Sequence, residues 1–306
     1  MSLVVVGSIA FDAVKTPFGE RERMLGGAAV HFSLAASFFT DVRVVGPVGD
    51  DFGDEEYAVL EGRGVNTDDI ERVDGGETFF WRAHYEYDMA TAHTEDTRLG
   101  VFGEFAPKLS EESKAADNLF LANIQPDLQR EVRKQCTGAR LAGLDSMNLW
   151  IETARDSLVE TISGVDFVFL NDAEIRMLTD QPNLVRAARE VMAMGPSVVV
   201  AKQGEYGAAL FTEAGYFALP AFPLETVADP TGAGDSFAGG FLGYLASEER
   251  WQEEASLRRA MTYGSVIASF NVEEFGTERV ARLTREQIDQ RFEDFRRMTA
   301  LAAAPA

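Results

Sequence analysis

The sequence offers little from which covalent or metal staples could be made. Its 306 residues include one cysteine, Cys136, and three histidines, His31, His84 and His93. A lone cysteine cannot close an intramolecular disulfide, and these residues cannot assemble a zinc cluster of ordinary spacing, so a reducing compartment is expected. Lysine is scarce as well. Lys15, Lys108, Lys114, Lys134 and Lys202 are the only five among 28 basic residues, and 50 Asp and Glu bring the net charge to −22. Binding a phosphate backbone takes clustered Lys and Arg, so no nucleic-acid partner is expected. No uncharged apolar run reaches the ~18–20 residues of a membrane span, and the first residues carry no basic n-region; a cytoplasmic protein is expected. A P-loop of the form G-x-x-x-x-G-K-[ST] is missing, which excludes that mode of nucleotide binding. No Pro/Gly/Ser-rich linker divides the chain and no internal repeat is evident, so a single domain over 1–306 is expected.

What is present is apolar material, 46% of the residues, enough for a large core. The acidic, lysine-poor surface suits either a salt-rich cytosol or a self-repelling soluble protein. Short β-branched or apolar runs at 3–9, 42–45, 118–122, 141–145, 167–170 and 198–201 read as buried parallel strands. Helical patterns at 28–39, 54–63, 151–162, 184–194, 233–246 and 254–270 alternate with them. That alternation predicts an α/β fold, a doubly wound and mostly parallel sheet with helices on both faces. Two stretches break the rhythm, about 11–24 and 77–102. They lack helical periodicity, and the second is dense in aromatics, so both are expected as strands of a small projecting β-sheet lid. A hairpin is expected at 208–211 and 215–219, turning at 212–214, and the tail 301–306 is expected to fray.

The most informative stretch is residues 229–241, which begins Asp229-Pro230-Thr231-Gly232-Ala233-Gly234-Asp235. Pro230 disfavours helix at Asp229, the glycines permit a tight turn, and helix-compatible spacing follows. The N–H groups of Gly232, Ala233, Gly234 and Asp235 would then emerge from a helix N-terminus as an anion site, with Asp235 expected as a carboxylate held by the helix dipole. Anion-binding amides beside a carboxylate suit phosphoryl transfer to an alcohol. The bland alternative is a tight turn with Asp235 as an ordinary first-turn acid. A dinucleotide fingerprint is excluded, since Phe237 stands where its third glycine belongs.

This stretch resembles the C-terminal signature of the ribokinase (PfkB) family of carbohydrate and nucleoside kinases, with Pro230 where the family often has Thr. The resemblance implies a ribokinase-like fold, Asp235 as catalytic base, and Gly232, Ala233 and Gly234 as the anion hole. Further segments resemble the family in the expected order. Asp12, after Gly7-Ser8-Ile9-Ala10-Phe11, falls where a substrate hydroxyl is bound; otherwise it is a turn acid. Gly26-Gly27-Ala28-Ala29-Val30-His31 resembles the N-terminal Gly-Gly signature, implying that Gly26 and Gly27 let backbone approach the substrate. His31 replaces the Asn of many sugar kinases, and it reads equally as a donor to a substrate hydroxyl or as a structural residue beside Phe32 and Leu34.

Asn171-Asp172-Ala173-Glu174 resembles the Asn-x-x-Glu element that positions Mg²⁺ and phosphate, while the residue types alone equally suit helix capping. Lys202-Gln203-Gly204-Glu205-Tyr206-Gly207 resembles the family's nucleotide-side segment, implying that Lys202, Gly204 and Gly207 lie near ATP; Lys202 alone would read as a surface charge. Asp145 ends a strand, and Asp145-Ser146-Met147-Asn148 departs from the common Asp-Pro-Asn, leaving Asn148 open. The region 266–276, with Asn271, lies where relatives complete the adenine pocket and in some cases hold a monovalent cation such as K⁺. The implied activity is transfer of the γ-phosphate of ATP to a primary hydroxyl of a sugar or sugar derivative, with lid closure excluding water. A nucleoside kinase resembling adenosine kinase is the alternative, for which Phe79, Phe80, Trp81, Tyr85 and Tyr87 are candidate base-stacking residues; they serve equally to pack the lid or a lid-to-lid homodimer. A non-catalytic sensor of nucleotide or sugar is the reading from a different class.

Overall fold

The valine-rich start of the chain becomes the middle of a large sheet. In chain order the strands are β1 (Ser2–Val6), β2 (Ala10–Thr16), β3 (Gly19–Gly26), β4 (Asp41–Val48), β5 (Ile70–Arg72), β6 (Phe79–Tyr85), β7 (Ala92–Arg98), β8 (Asn118–Leu121), β9 (Leu141–Asp145), β10 (Phe167–Asn171), β11 (Val198–Lys202), β12 (Ala208–Thr212) and β13 (Gly215–Leu219). This is a computed structural model that describes residues 1–300; the tail expected to fray lies outside the described residues. The main sheet runs β13-β12-β11-β10-β9-β8-β1-β4-β5 and is parallel from β11 through β5. Only the hairpin edge β12–β13 is antiparallel.

The sheet buries both faces, which is why its strands read as continuous apolar runs rather than as alternation. Leu3 and Val5 enter one apolar layer, and Val4 and Val6 enter the other. The first layer is covered by the helices Ala28–Ala36, Ala233–Ser247, Glu254–Asn271 and Arg285–Thr299, the second by Pro126–Gln135, Arg155–Ile162, Asp172–Thr179 and Leu184–Ala193. Two of these helices approach closely because Gly239 has no side chain: a Cβ there would lie 2.4 Å from the carbonyl oxygen of Phe32.

The expected lid is a four-stranded sheet ordered β3-β2-β6-β7. It is mixed, since β2 pairs with β6 in parallel and with β3 antiparallel. The expected stretch 77–102 is not strand throughout, because Gly100–Glu104 forms a 3₁₀ turn that returns the chain to the main sheet. The expected helix 151–162 is two helices, Asn148–Thr153 and Arg155–Ile162, broken at Ala154 with φ −142° and ψ 35°. The hairpin turn is shorter than expected, since Thr212 still pairs with Gly215.

Candidate active site

In an open parallel sheet, ligands collect at the carboxyl ends of the strands. Here those ends present Asn123 just after β8, Asp145 ending β9, Asn171 ending β10 and Lys202 ending β11. Asn171 and Lys202 are paired in register. The Lys202 ammonium reaches back across β10 to Asp145, with Nζ 2.6 Å from Oδ2. Asn171 and Glu174 cap the helix Asp172–Thr179 reciprocally: the Glu174 N–H donates to Asn171 Oδ1 at 2.8 Å and the Asn171 N–H donates to Glu174 Oε2 at 2.7 Å. The capping reading of these two residues is therefore realised, and it leaves Glu174 Oε1 uncommitted among the described residues.

Opposite this row stands the turn at 229–235. Gly232 caps the helix Ala233–Ser247 in the left-handed region, φ 73°, where glycine carries no steric penalty. The Asp229 carboxylate holds the turn open, accepting from the Thr231 N–H at 2.9 Å and from the Gly276 N–H at 3.0 Å. Of the four expected anion-hole amides, Ala233 is committed to the Pro230 carbonyl at 3.2 Å. Those of Gly232, Gly234 and Asp235 donate to no other backbone group among the described residues.

Asp235 departs from the expectation of a carboxylate stabilised by the helix dipole. Partial burial of its carboxyl, reinforced by the charge of Asp145, pushes it up to about 7 against the pull of Lys202 and its own backbone N–H. The dipole contributes about 1 kcal/mol at a helix end and is outweighed by desolvation. Glu174 is likewise pushed up to about 7, by burial first and Asp145 next, with Lys202 opposing.

The side expected to hold the acceptor is built from β2 and the entry to the helix Ala28–Ala36. Asp12 is 5% exposed. Burial, with the charge of Asp229 adding to it, raises Asp12 to about 7, while a hydrogen bond from the Gly27 N–H opposes. Gly26 lies directly against Asp12, since a Cβ there would meet its carboxylate at 2.0 Å. His31 is 2% exposed rather than open to a ligand. Its Nδ1 lies 3.1 Å from Asn271 Oδ1. Burial lowers it to about 4, so it is neutral.

The lid closes over this side. Pairing in register places Trp81 beside Asp12, and the pleat puts Phe79 and Tyr85 on the same face and Phe80 on the other. The Tyr85 hydroxyl lies 3.2 Å from Thr231 Oγ1, and Thr16 Oγ1 donates to the Ala228 carbonyl at 2.9 Å. Tyr87 is exposed, away from any such contact.

In the segment expected near ATP, Gly204 opens the 3₁₀ turn Gly204–Tyr206 with nothing within 4 Å of where a Cβ would stand, whereas Gly207 packs against the backbone of Leu219 and Pro220. Asn148 is exposed at the start of its helix. The sequence reading passed over Asn123, whose Oδ1 accepts from Trp150 Nε1 at 3.0 Å. A polar residue just past an apolar strand was the signal for it. Among the described residues, no three His, Cys, Asp or Glu come close enough to chelate a metal on their own. The site therefore gathers three raised carboxyl groups, Asp145, Glu174 and Asp235, around the Lys202 ammonium, with two more, Asp12 and Asp229, raised beside each other. That donor set fits a hydrated Mg²⁺ held partly by substrate phosphates.

The description "pfkB family carbohydrate kinase" matches residues 2–282. The chain belongs to the pfkB family. This pfkB-family chain is 30% identical over 251 residues to a cytidine kinase of Thermococcus kodakarensis, covering 80% of this chain and 88% of the relative. It is 26% identical over 253 residues to an ATP-dependent ribose-1-phosphate kinase of Halopiger xanaduensis, covering 80% and 79%. In fold it is similar to a Burkholderia thailandensis nucleoside kinase solved with inosine, with a TM-score of 0.80, 21% identity, and 95% and 97% of the two chains covered. An Arabidopsis thaliana ribokinase solved with ribose and ATP superposes with a TM-score of 0.76 at 20% identity, covering 95% and 98%. The pfkB-family kinase described here is an ATP-dependent phosphotransferase of the sugar and nucleoside kinase class. Among its described residues no helix is long and apolar enough to cross a membrane.

Proposed function

We propose that this kinase transfers the γ-phosphate of ATP to a primary hydroxyl of a sugar or sugar-bearing molecule, with Asp235 as the base. The observation that carries this reading is the placement of Asp235 at the head of the helix Ala233–Ser247, beside the uncommitted N–H groups of Gly232 and Gly234. Asp12, with Gly26 and Gly27 against it, holds and orients the acceptor by accepting from its hydroxyls. The acceptor oxygen gives its proton to the Asp235 carboxylate and bonds to the γ-phosphorus. The bond from that phosphorus to the bridging oxygen breaks, and ADP leaves with the electron pair. Amides already aimed at the phosphoryl oxygens stabilise their charge without reorganisation. A base raised to about 7 suits proton transfer near neutral pH.

Lys202 neutralises phosphate charge on the nucleotide side, where Gly204 leaves the backbone open; Ala233 and Gly207 shape the turns rather than touch phosphate. Mg²⁺, held through water by Asn171 and Glu174, supplies charge neutralisation to the phosphates when bound. A monovalent cation near 266–276 is part of the same reading, supported by the Asp229 carboxylate, which binds the Gly276 N–H and whose charge reaches Asp12. So are cytoplasmic location and a homodimer formed through the lid, where the Arg98 guanidinium lies 4.1 Å from the Phe80 ring centroid.

Trp81 and Tyr85 on the Asp12 face favour a nucleoside acceptor as the second reading, since they offer a stacking surface for a base. The likeness to a cytidine kinase points the same way. A coupled ADP-release screen of pentoses, hexoses, keto-sugar acids and nucleosides separates the two. In the same assay Asp235→Asn should keep nucleotide binding and lose turnover by about 10³-fold or more. Near-parental turnover in that variant would sink the base assignment.

A further inference from the structure

The buried histidine at the acceptor side is tied to the phosphoryl side by a chain of hydrogen bonds whose direction can be deduced. The Thr231 carbonyl can only accept, so the group 2.7 Å from it must be the Asn271 amide nitrogen. Asn271 is fully buried, and its Oδ1 therefore faces the other way as an acceptor. Two groups converge on that oxygen, Ser236 Oγ at 3.0 Å and His31 Nδ1 at 3.1 Å, and each must donate. His31 thus carries its proton on Nδ1, and Nε2 is a bare, buried acceptor with no partner among the described residues.

The same ring forms a floor beneath the turn. A Cβ on Gly232 would lie 2.4 Å from three atoms of the His31 imidazole, so the ring packs flat against the residue that caps the anion-site helix. His31 itself stands in the first turn of the helix Ala28–Ala36, immediately after Gly27 and Asp12's neighbourhood. It touches the phosphoryl-side turn twice, once through Asn271 and once directly.

We infer that His31 is a positioning residue rather than a substrate ligand, held as the Nδ1–H tautomer so that it and Asn271 lock the 231–236 turn in register with the acceptor side. This rests on the reading of that turn as the anion hole. Holding amides in place is a matter of tenths of an ångström, and a displacement of about 1 Å at a reacting centre costs roughly 10²-fold in rate. The burial that keeps the ring neutral supports the tautomer but does not decide it; the amide orientation does.

With three histidines in the whole chain, ¹⁵N-histidine labelling of the intact protein is readable directly, and His31 is assigned as the signal lost in His31→Asn. The expected spectrum at pH 7 shows His31 with a protonated Nδ1 and a bare Nε2; an Nε2–H tautomer or an imidazolium overturns the inference. In turnover, His31→Leu should lower kcat by roughly 10- to 100-fold while the acceptor KM moves less than about threefold. His31→Asn, whose amide can donate in place of Nδ1–H, should stay within about threefold of the parent in kcat. Parental kcat in His31→Leu overturns the inference, as does a loss confined to acceptor KM. The two readings fail separately. Near-parental turnover in Asp235→Asn removes the base assignment at that turn whatever the tautomer, whereas the wrong tautomer removes this inference and leaves the kinase reading intact.

Discussion

Lys202 Nζ lies 2.6 Å from Asp145 Oδ2, joining the ends of two strands that are separated by a third. Both groups are inside the protein, at 19% and 4% side-chain exposure. Burial pulls Lys202 down, but Asp145, Glu174 and Asp235 outweigh it and hold the ammonium above its usual range. Burial keeps Asp145 raised even against Lys202. The ammonium also stands 3.1 Å from where Gly234 would carry a Cβ, at the edge of the amide turn.

A buried ion pair is weak evidence for net stability, but breaking one side of it leaves an uncompensated charge. Lys202→Met should therefore lose about 3 kcal/mol of unfolding free energy and at least roughly tenfold in kcat/KM for ATP. Adding Asp145→Asn to it should restore the melting temperature and leave the kinetic loss in place. Denaturation curves and ATP kinetics on the three variants test this, and recovery of turnover in the double variant would show that Lys202 has no role beyond its pair.

Asp12 predicts an unusual pH dependence. Its carboxyl is raised from 3.8 to about 7 in the folded chain, so between those values the unfolded chain has released a proton that the folded chain keeps. The stability this group contributes is fully present below the unfolded value and is lost as pH rises through about 7. Asp12→Asn removes that loss. The variant should match the parent at pH 4 and exceed it at pH 8, by as much as about 4 kcal/mol at 1.4 kcal/mol per unit. Equal melting-temperature differences at the two pH values would contradict the raised carboxyl.

Much of this site was legible in the sequence, for identifiable reasons. Parallel strands buried on both faces read as uninterrupted apolar runs, and the stretch 229–241 carries its glycines and acid in one short run. The helix Arg285–Thr299 was equally legible and was passed over: Thr284 and Gln287 cap it, and Ile288, Phe292 and Phe295 recur at helical intervals. What could not be read was anything depending on a partner brought in by the fold. Asn271 meets Thr231 across forty positions, and nothing in either segment announces it. The same holds for Asp235: its first-turn position suggested a carboxylate held by the helix dipole, and burial, with the charge of Asp145 from β9 adding to it, reverses the sign.

The lid carries a third prediction. Tyr85 reaches from β6 to Thr231, so a strand of the lid is bonded to the turn proposed to bind phosphate. Tyr85→Phe removes one side-chain hydrogen bond, worth about 1 kcal/mol. Acceptor KM should rise about fivefold with ATP KM unchanged, and ADP release without acceptor should grow relative to transfer, since a looser cover admits water. A variant with the parental ratio of hydrolysis to transfer would separate Tyr85 from lid closure.

Thr16 meets Ala228, and His31 meets Asn271, more than two hundred residues apart in each case. Neither half of the chain holds the whole candidate site, because Asp12 comes from one end and the 229–235 turn from the other. A nascent chain emerging from the ribosome can order its first strands, yet it cannot bring an alcohol and a phosphoryl group together until the last third has been made. In a fold wired this way, loop closure comes before the reward of its long-range contacts, the condition under which chains fold slowly.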